Sequence, residues 1–218
     1  MNRIYDLLWL VTIVTVCVLI SFDSFIYLTK AYTVTMGFLK FFILATMGEL
    51  LGRRLEKGLW QFKNINILQR AFTWGMFGVM FTYVFPIYSH GVDGLILSGR
   101  VPFIFDPTFT KAFYKSIFMN ILFAFPMMSF HKFTDILIDQ NKLFSRWDIY
   151  KTFCLVDWEN MWRKVAPTIL WFWIPAHTIT FCLAEEYRII MAAFLGVVLG
   201  LILSFKKDGV NKTTNPAI

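Results

Sequence analysis

Residues 175–205 read PAHTITFCLAEEYRIIMAAFLGVVLGLILSF, and this stretch decides what kind of fold the chain builds. Two apolar runs flank Glu185, Glu186 and Arg188, a charged group that needs water and marks a turn between two spans. About 20 apolar residues, rising about 1.5 Å each, cross the roughly 30 Å hydrocarbon core of a bilayer. The stretch therefore predicts a helical hairpin that leaves and re-enters a membrane, carrying Pro175, His177 and Thr180 to mid-depth. Backbone polar groups in lipid have to be satisfied within their own segment, and no alternating strand pattern occurs in the sequence, so the spans are helices.

The rest of the chain agrees with this stretch. Of 218 residues, 57% are hydrophobic and 16% charged, with 25 Phe and 8 Trp, a balance foreign to soluble domains. Apolar periods predict helices over 5–26, 33–52, 71–88, 111–130, 165–184 and 187–205. The expected architecture is an all-α polytopic transmembrane bundle of about six hydrophobic helices. Residues 1–30 form an N-terminal hydrophobic helix, 31–205 the main bundle and 206–218 a polar C-terminal tail. The apolar run 7–20 has the length of a signal-peptide core but lacks a small-x-small cleavage site before Asp23, so it is read as a retained span.

The formal net charge of +7 reflects topology rather than nucleic-acid binding. Fifteen of the 21 lysines and arginines fall at Arg3, in the 53–70 loop, in the 131–164 loop or in the tail. Lys30, Arg100, Lys111 and Arg188 alone lie on the other side, while Lys40 and Lys115 fall within spans. The positive-inside rule then puts both termini and the two basic loops in the cytoplasm or its equivalent, in a bacterial cell membrane or alternatively an organellar one. Within the second basic loop, Trp147, Tyr150, Cys154, Trp158, Met161 and Trp162 recur at helical spacing, which predicts an interfacial amphipathic helix near 147–162. On the other side, GLILSGRVPFIFDP (94–107) is too short and too proline-broken to span and reads as an apolar strap.

Polar groups inside the spans are the candidate site residues. Lys40 either lines a cavity or snorkels toward the headgroups. Glu49 lies nine positions on, about half a turn out of phase with Lys40, and is placed to pair with Arg53 at i+4. Asn120, His177 and Thr180 serve either as hydrogen-bonding glue between helices or as the lining of a water-filled path. Pro175 frees the carbonyl of Trp171, and Pro86 and Pro126 can act alike in two other spans. Arg188 can pair with Glu185 or Glu186 at the rim. Four-residue spacing of small side chains, Gly48 with Gly52 and Gly196 with Gly200, predicts close helix packing.

Nothing in the sequence calls for catalysis or a cofactor. Cys17, Cys154 and Cys182 lie far apart without metal-ligand spacing, and His90, His131 and His177 fall at different depths, so no metal site is expected. Glu185-Glu186-Tyr-Arg188 is similar to the Glu-Glu-x-x-x-Arg motif of membrane-embedded CAAX-type proteases, but Ile190 stands where the arginine is required. The chain is read as no enzyme.

The 175–205 stretch also resembles the C-terminal signature of the small peroxisomal and mitochondrial membrane proteins of the Mpv-seventeen and peroxisomal membrane protein two family. Pro175, Ala176, Ile179, Phe181, Tyr187, Arg188, Leu203, Ser204 and Phe205 fall in register, given one deletion after Ala184. ATMGELLGRRL is similar to that family's G-D-x-x-x-Q helix, with Glu49 at the acidic position, and KSIFMNILFAFP to its K-x-x-x-D-Q-x-x-x-x-P helix, with Asn120 at the glutamine. His177, Thr180 and Met119 depart from the pattern, and the first span lies outside it. The resemblance covers about residues 35–205 and implies a divergent relative with four to five family-like helices plus an extra N-terminal one. It further implies a weakly selective channel or pathway for small solutes; Lys40, Glu49, Asn120, His177, Thr180 and Arg188, read from the polarity of the spans, are the candidates to line it. Its partners would be the lipid bilayer, small polar solutes and a second copy of the chain. The competing expectation is a non-conducting membrane scaffold or assembly protein held together by its glycine faces.

Overall fold

A computed structural model describes residues 2–63 and 65–198. Among these, eight helices and no strand occur: α1 (Asn2–Ile20), α2 (Asp23–Ala31), α3 (Thr33–Lys57), α4 (Ile67–Leu97), α5 (Pro107–Asp139), α6 (Ile149–Cys154), α7 (Trp158–Cys182) and α8 over 185–198. Five of them, α1, α3, α4, α5 and α7, are long and apolar enough to cross a membrane. The expected span 187–205 runs past the described residues, which also leave out Gly200 and the 206–218 tail.

Helix boundaries differ from the sequence expectation where a capping residue intervenes. The 5–26 helix divides, because Phe22 is extended and Asp23 opens a new first turn. α5 starts early: Asp106 accepts hydrogen bonds from the Thr108 and Phe109 amides, with Pro107 in the first turn, an N-cap and proline arrangement that fixes a helix start. The strap shrinks to 98–106, with Phe103, Ile104 and Phe105 exposed. The single 147–162 helix is broken. Asp148 caps α6 through the Lys151 amide, and Asp157 caps α7 through the Asn160 amide. The amide and ammonium of Lys151 hold the Asp148 carboxyl below its usual range.

At 31 and 33 residues, α4 and α5 exceed the ~20 residues a bilayer core requires, so both project beyond it. One end of the bundle, the basic end, collects the start of α1, the end of α3, the start of α4 and the end of α5. Arg54 reaches Asp6 at 3.2 Å, and Asn66 donates to the Ile138 carbonyl at 2.9 Å. The opposite end collects Lys30 against Glu186 at 2.6 Å and Lys115 against Asp93 at 2.9 Å. The first span, α1, lies along the outside, with Trp9 Nε1 donating to the Met47 carbonyl at 3.1 Å and most of its apolar side chains exposed.

α3 and α4 form the tightest seam. A Cβ on Gly78 would fall 2.2 Å from the Gly37 carbonyl oxygen, and one on Gly37 would fall 2.3 Å from Thr82 Cγ2, so each backbone occupies the space a larger residue would need. Gly48 meets the Val197 backbone of α8, 3.1 Å from where its Cβ would stand. Gly52 and Gly196 were expected to join in close packing; the Gly196 backbone does approach α3, 3.3 Å from where a Gly48 Cβ would stand, but a Cβ on Gly52 or on Gly196 itself would meet nothing within 4 Å and so points into open space.

α5 and α7 carry the irregular turns. A π turn over Asn120–Ala124 precedes Pro126, one over Met161–Val165 precedes Pro167, and one over Ile169–Trp173 precedes Pro175. Proline offers no N–H and crowds the preceding turn, and a widened turn accommodates both effects. Pro86 lies within α4 without such a turn.

Candidate functional site

The widened turns of α5 and α7 and the glycines of α3 and α8 surround a chamber of about 540 Å³. Its walls are apolar: Phe41 and Ala45 from α3, Phe81 from α4, Met119, Phe123 and Met127 from α5, Trp173 from α7, and Ala192 and Ala193 from α8. Gly52 and Gly196 line it too, which explains the open space where their Cβ atoms would stand. A volume of about 300–1,000 Å³ is typical of small-molecule sites.

Asn120 and His177 form the deep polar wall. Asn120 Nδ2 donates to the Ser116 carbonyl at 2.9 Å and lies 3.0 Å from His177 Nδ1. Asn120 Oδ1 also lies 3.2 Å from Nδ1, so the pair closes either with Nδ2 donating to the ring or with Nδ1–H donating to Oδ1, according to the tautomer. Nε2 has no hydrogen-bond partner among the described residues. Ser116 Oγ in turn donates to the Ile174 carbonyl at 2.6 Å, so α5 and α7 are joined by two polar contacts one turn apart.

At the basic end the chamber's mouth is charged. Glu49 Oε1 accepts from Arg53 Nη2 at 2.9 Å and Arg70 Nη1 at 2.9 Å, and Oε2 accepts from Trp74 Nε1 at 2.9 Å. Arg70, 3% exposed, also binds Asp135 at 2.8 Å, the Ile65 carbonyl at 2.8 Å and Asp139. The acids here are engaged by their neighbours. Of the cations, Lys57 is exposed with no ion pair among the described residues, and Lys132 holds Asp135 loosely, at 3.5 Å.

The far side is closed by aromatic rings. Phe85, 2% exposed, lies 6.0 Å from His177, 6.0 Å from Phe81 and 5.2 Å from Phe181, centroid to centroid. Beyond it, Phe85 borders a second hollow of about 260 Å³ with Thr29, Pro86 and Arg188. Phe85 thus stands between the chamber-wall residues His177 and Phe81 on one side and the hollow at the opposite end on the other.

Of the six residues expected to line a path, three meet here: Glu49, Asn120 and His177. The other three do not. The Lys40 ammonium turns away, to the Glu186 carbonyl at 3.4 Å and the Phe25 ring at 4.8 Å, because its stem points to the nearer, opposite end. Thr180 is fully buried and donates to the Ala176 carbonyl at 2.9 Å. Arg188 sits at the opposite rim, bound to Glu185 at 3.1 Å and the Leu183 carbonyl at 3.1 Å. The expected Glu49–Arg53 pair forms. Arg70, assigned by sequence to a basic loop, is instead the buried centre of the mouth. Its burial rests on Asp135 and Asp139, placed one turn apart on α5, a spacing the sequence does display.

Comparison with family models, with curated proteins and with solved structures finds no match for this chain.

Proposed function

We propose that this is a multi-pass membrane protein that admits a small solute into the chamber from the basic end and restrains its further passage at Phe85. The carrying observation is the chamber itself: a half-open hollow among the spans with an unpaired polar atom at its deep wall and a charged mouth. The excess of lysine and arginine at the mouth end favours a cytoplasmic orientation for it. Passage asks for no bond chemistry, and the resemblance to a family of small-solute channels points the same way.

Proteoliposomes loaded with radiolabelled small neutral and anionic solutes provide the test. Wild-type protein should release them slowly, and Phe85→Ala, which opens the aromatic layer, should raise the rate at least several-fold. No release above empty liposomes from either protein would overturn the passage reading and favour a non-conducting assembly protein.

A further inference from the structure

The chamber's two ends differ in what they leave unpaired, and this asymmetry bears on its occupant. At the mouth, Glu49 and Asp135 have their acceptor oxygens taken by Arg53, Arg70, Trp74 and Lys132, whereas the Lys57 ammonium is unpaired. A negative head group meets the unpaired Lys57 there, together with Lys132, whose contact to Asp135 is long at 3.5 Å and whose acid keeps Arg70 at 2.8 Å. Between mouth and deep wall, Phe123, Met127 and Phe81 offer only apolar surface. An ion with a full hydration shell loses water in that stretch and gains nothing in return. An apolar chain gains free energy along the same surface. At the deep wall, His177 Nε2 has no hydrogen-bond partner among the described residues and offers one polar atom to an occupant.

We propose that the chamber binds a single-chain amphipathic organic anion, its head at Lys57 and Lys132 and its chain along Phe123 and Met127. A hydroxyl at the chain's far end, able to donate or to accept, would pair with His177 Nε2. Asn120 and Lys132 are twelve positions apart on α5, which sets the depth at roughly 18 Å. Lysine side chains reaching inward shorten this to the length of a medium chain of about ten carbons. The proposal rests on the chamber being a solute site and names the solute's class.

The probes are radiolabelled decanoate and 10-hydroxydecanoate, with decyltrimethylammonium as the cationic control, titrated onto the full chain in phosphatidylcholine nanodiscs and corrected for empty discs. Decanoate should bind saturably at about one per chain. The hydroxylated probe should bind at least threefold tighter, and decyltrimethylammonium should show no saturable component. Lys57→Gln with Lys132→Gln should weaken decanoate at least fivefold, while Lys142→Gln with Lys151→Gln, at the same end but outside the chamber, should leave it unchanged. Gly196→Leu, filling open space in the chamber wall, should abolish binding, and His177→Ala should erase the advantage of the hydroxyl. Equal binding of anion and cation, equal loss in the two lysine pairs, or undiminished binding in Gly196→Leu would overturn the proposal. So would displacement by phosphatidylglycerol in the disc, which would make the occupant a bilayer lipid. Saturable binding without flux would remove the passage reading and leave this one standing; flux without saturable binding would do the reverse.

Discussion

The α3–α4 and α5–α7 pairs answer the same demand differently. Helices in lipid gain little by hiding apolar surface from one another, so they associate by close backbone approach or by polar contacts. α3 and α4 use the first means, with Gly37 and Gly78 bringing main chain against main chain. α5 and α7 use the second: Ser116 and Asn120 reach across to the Ile174 carbonyl and His177, beside prolines whose π turns keep both helices irregular. The first solution leaves no room between the helices. The second leaves room, and the chamber occupies it. Arg70 holds the two pairs together, since its guanidinium binds Glu49 on α3 and Asp135 on α5 at once.

Breaking that clamp should have the largest effect. Arg70→Met leaves Glu49 and Asp135 partly buried without their shared cation, and losing one member of such a group costs about 3–5 kcal/mol. A collapse of folded yield, or a melting temperature many degrees lower in detergent, is expected; a variant as stable as wild type would mean that the acids repair themselves with Arg53 and Lys132.

The glycines then separate the two kinds of packing. Gly78→Ala forces a methyl to within 2.2 Å of the Gly37 carbonyl oxygen, a backbone atom that cannot rotate aside. Overpacking of this kind costs about 1–3 kcal/mol. The same substitution at Gly196, where nothing stands within 4 Å, should stabilise by up to about 1 kcal/mol through helix propensity. Melting temperatures moving in opposite directions support the contrast; equal losses would place Gly196 in a tight contact. Asn120→Ala should cost less than Arg70→Met or Gly78→Ala, about 0.6 kcal/mol, since polar contacts between membrane helices are individually weak.

These contrasts also mark what the sequence could disclose. Spans were legible because lipid imposes length and composition on every crossing segment. The Glu49–Arg53 pair was legible because it lies within one helix, where spacing alone sets geometry. The importance of Asn120 and His177 was legible because polar groups at mid-membrane require partners, although their bond to each other depends on how α5 meets α7. The Gly37–Gly78 contact was hidden for a related reason: Gly37 belongs to no Gly-x-x-x-Gly pattern, and its partner lies on another helix. Asp106, Asp148 and Asp157 stood in plain view as capping residues and went unused, which misplaced one helix start and joined two helices into one. Lys40 stayed open between cavity and headgroups because depth counted from a predicted span boundary does not say where a long side chain will turn; its ammonium runs to the Glu186 carbonyl at the opposite end, as the snorkelling alternative has it.

The central claim is a chamber open to the basic end and closed at Phe85, and cysteine modification tests it directly. Cys154, on α6 at the basic end, and Cys182, bordering a hollow at the opposite end, are both exposed and mark the two faces of a sealed vesicle. With Cys17 replaced by Ser and Met127→Cys placing a thiol in the chamber wall, a charged impermeant thiol reagent is added outside and each site is quantified by mass spectrometry. Modification at position 127 should appear in the vesicles whose Cys154 reacts and be absent from those whose Cys182 reacts. Labelling that instead follows Cys182, or that is absent from both populations, would contradict a chamber entered from the basic end.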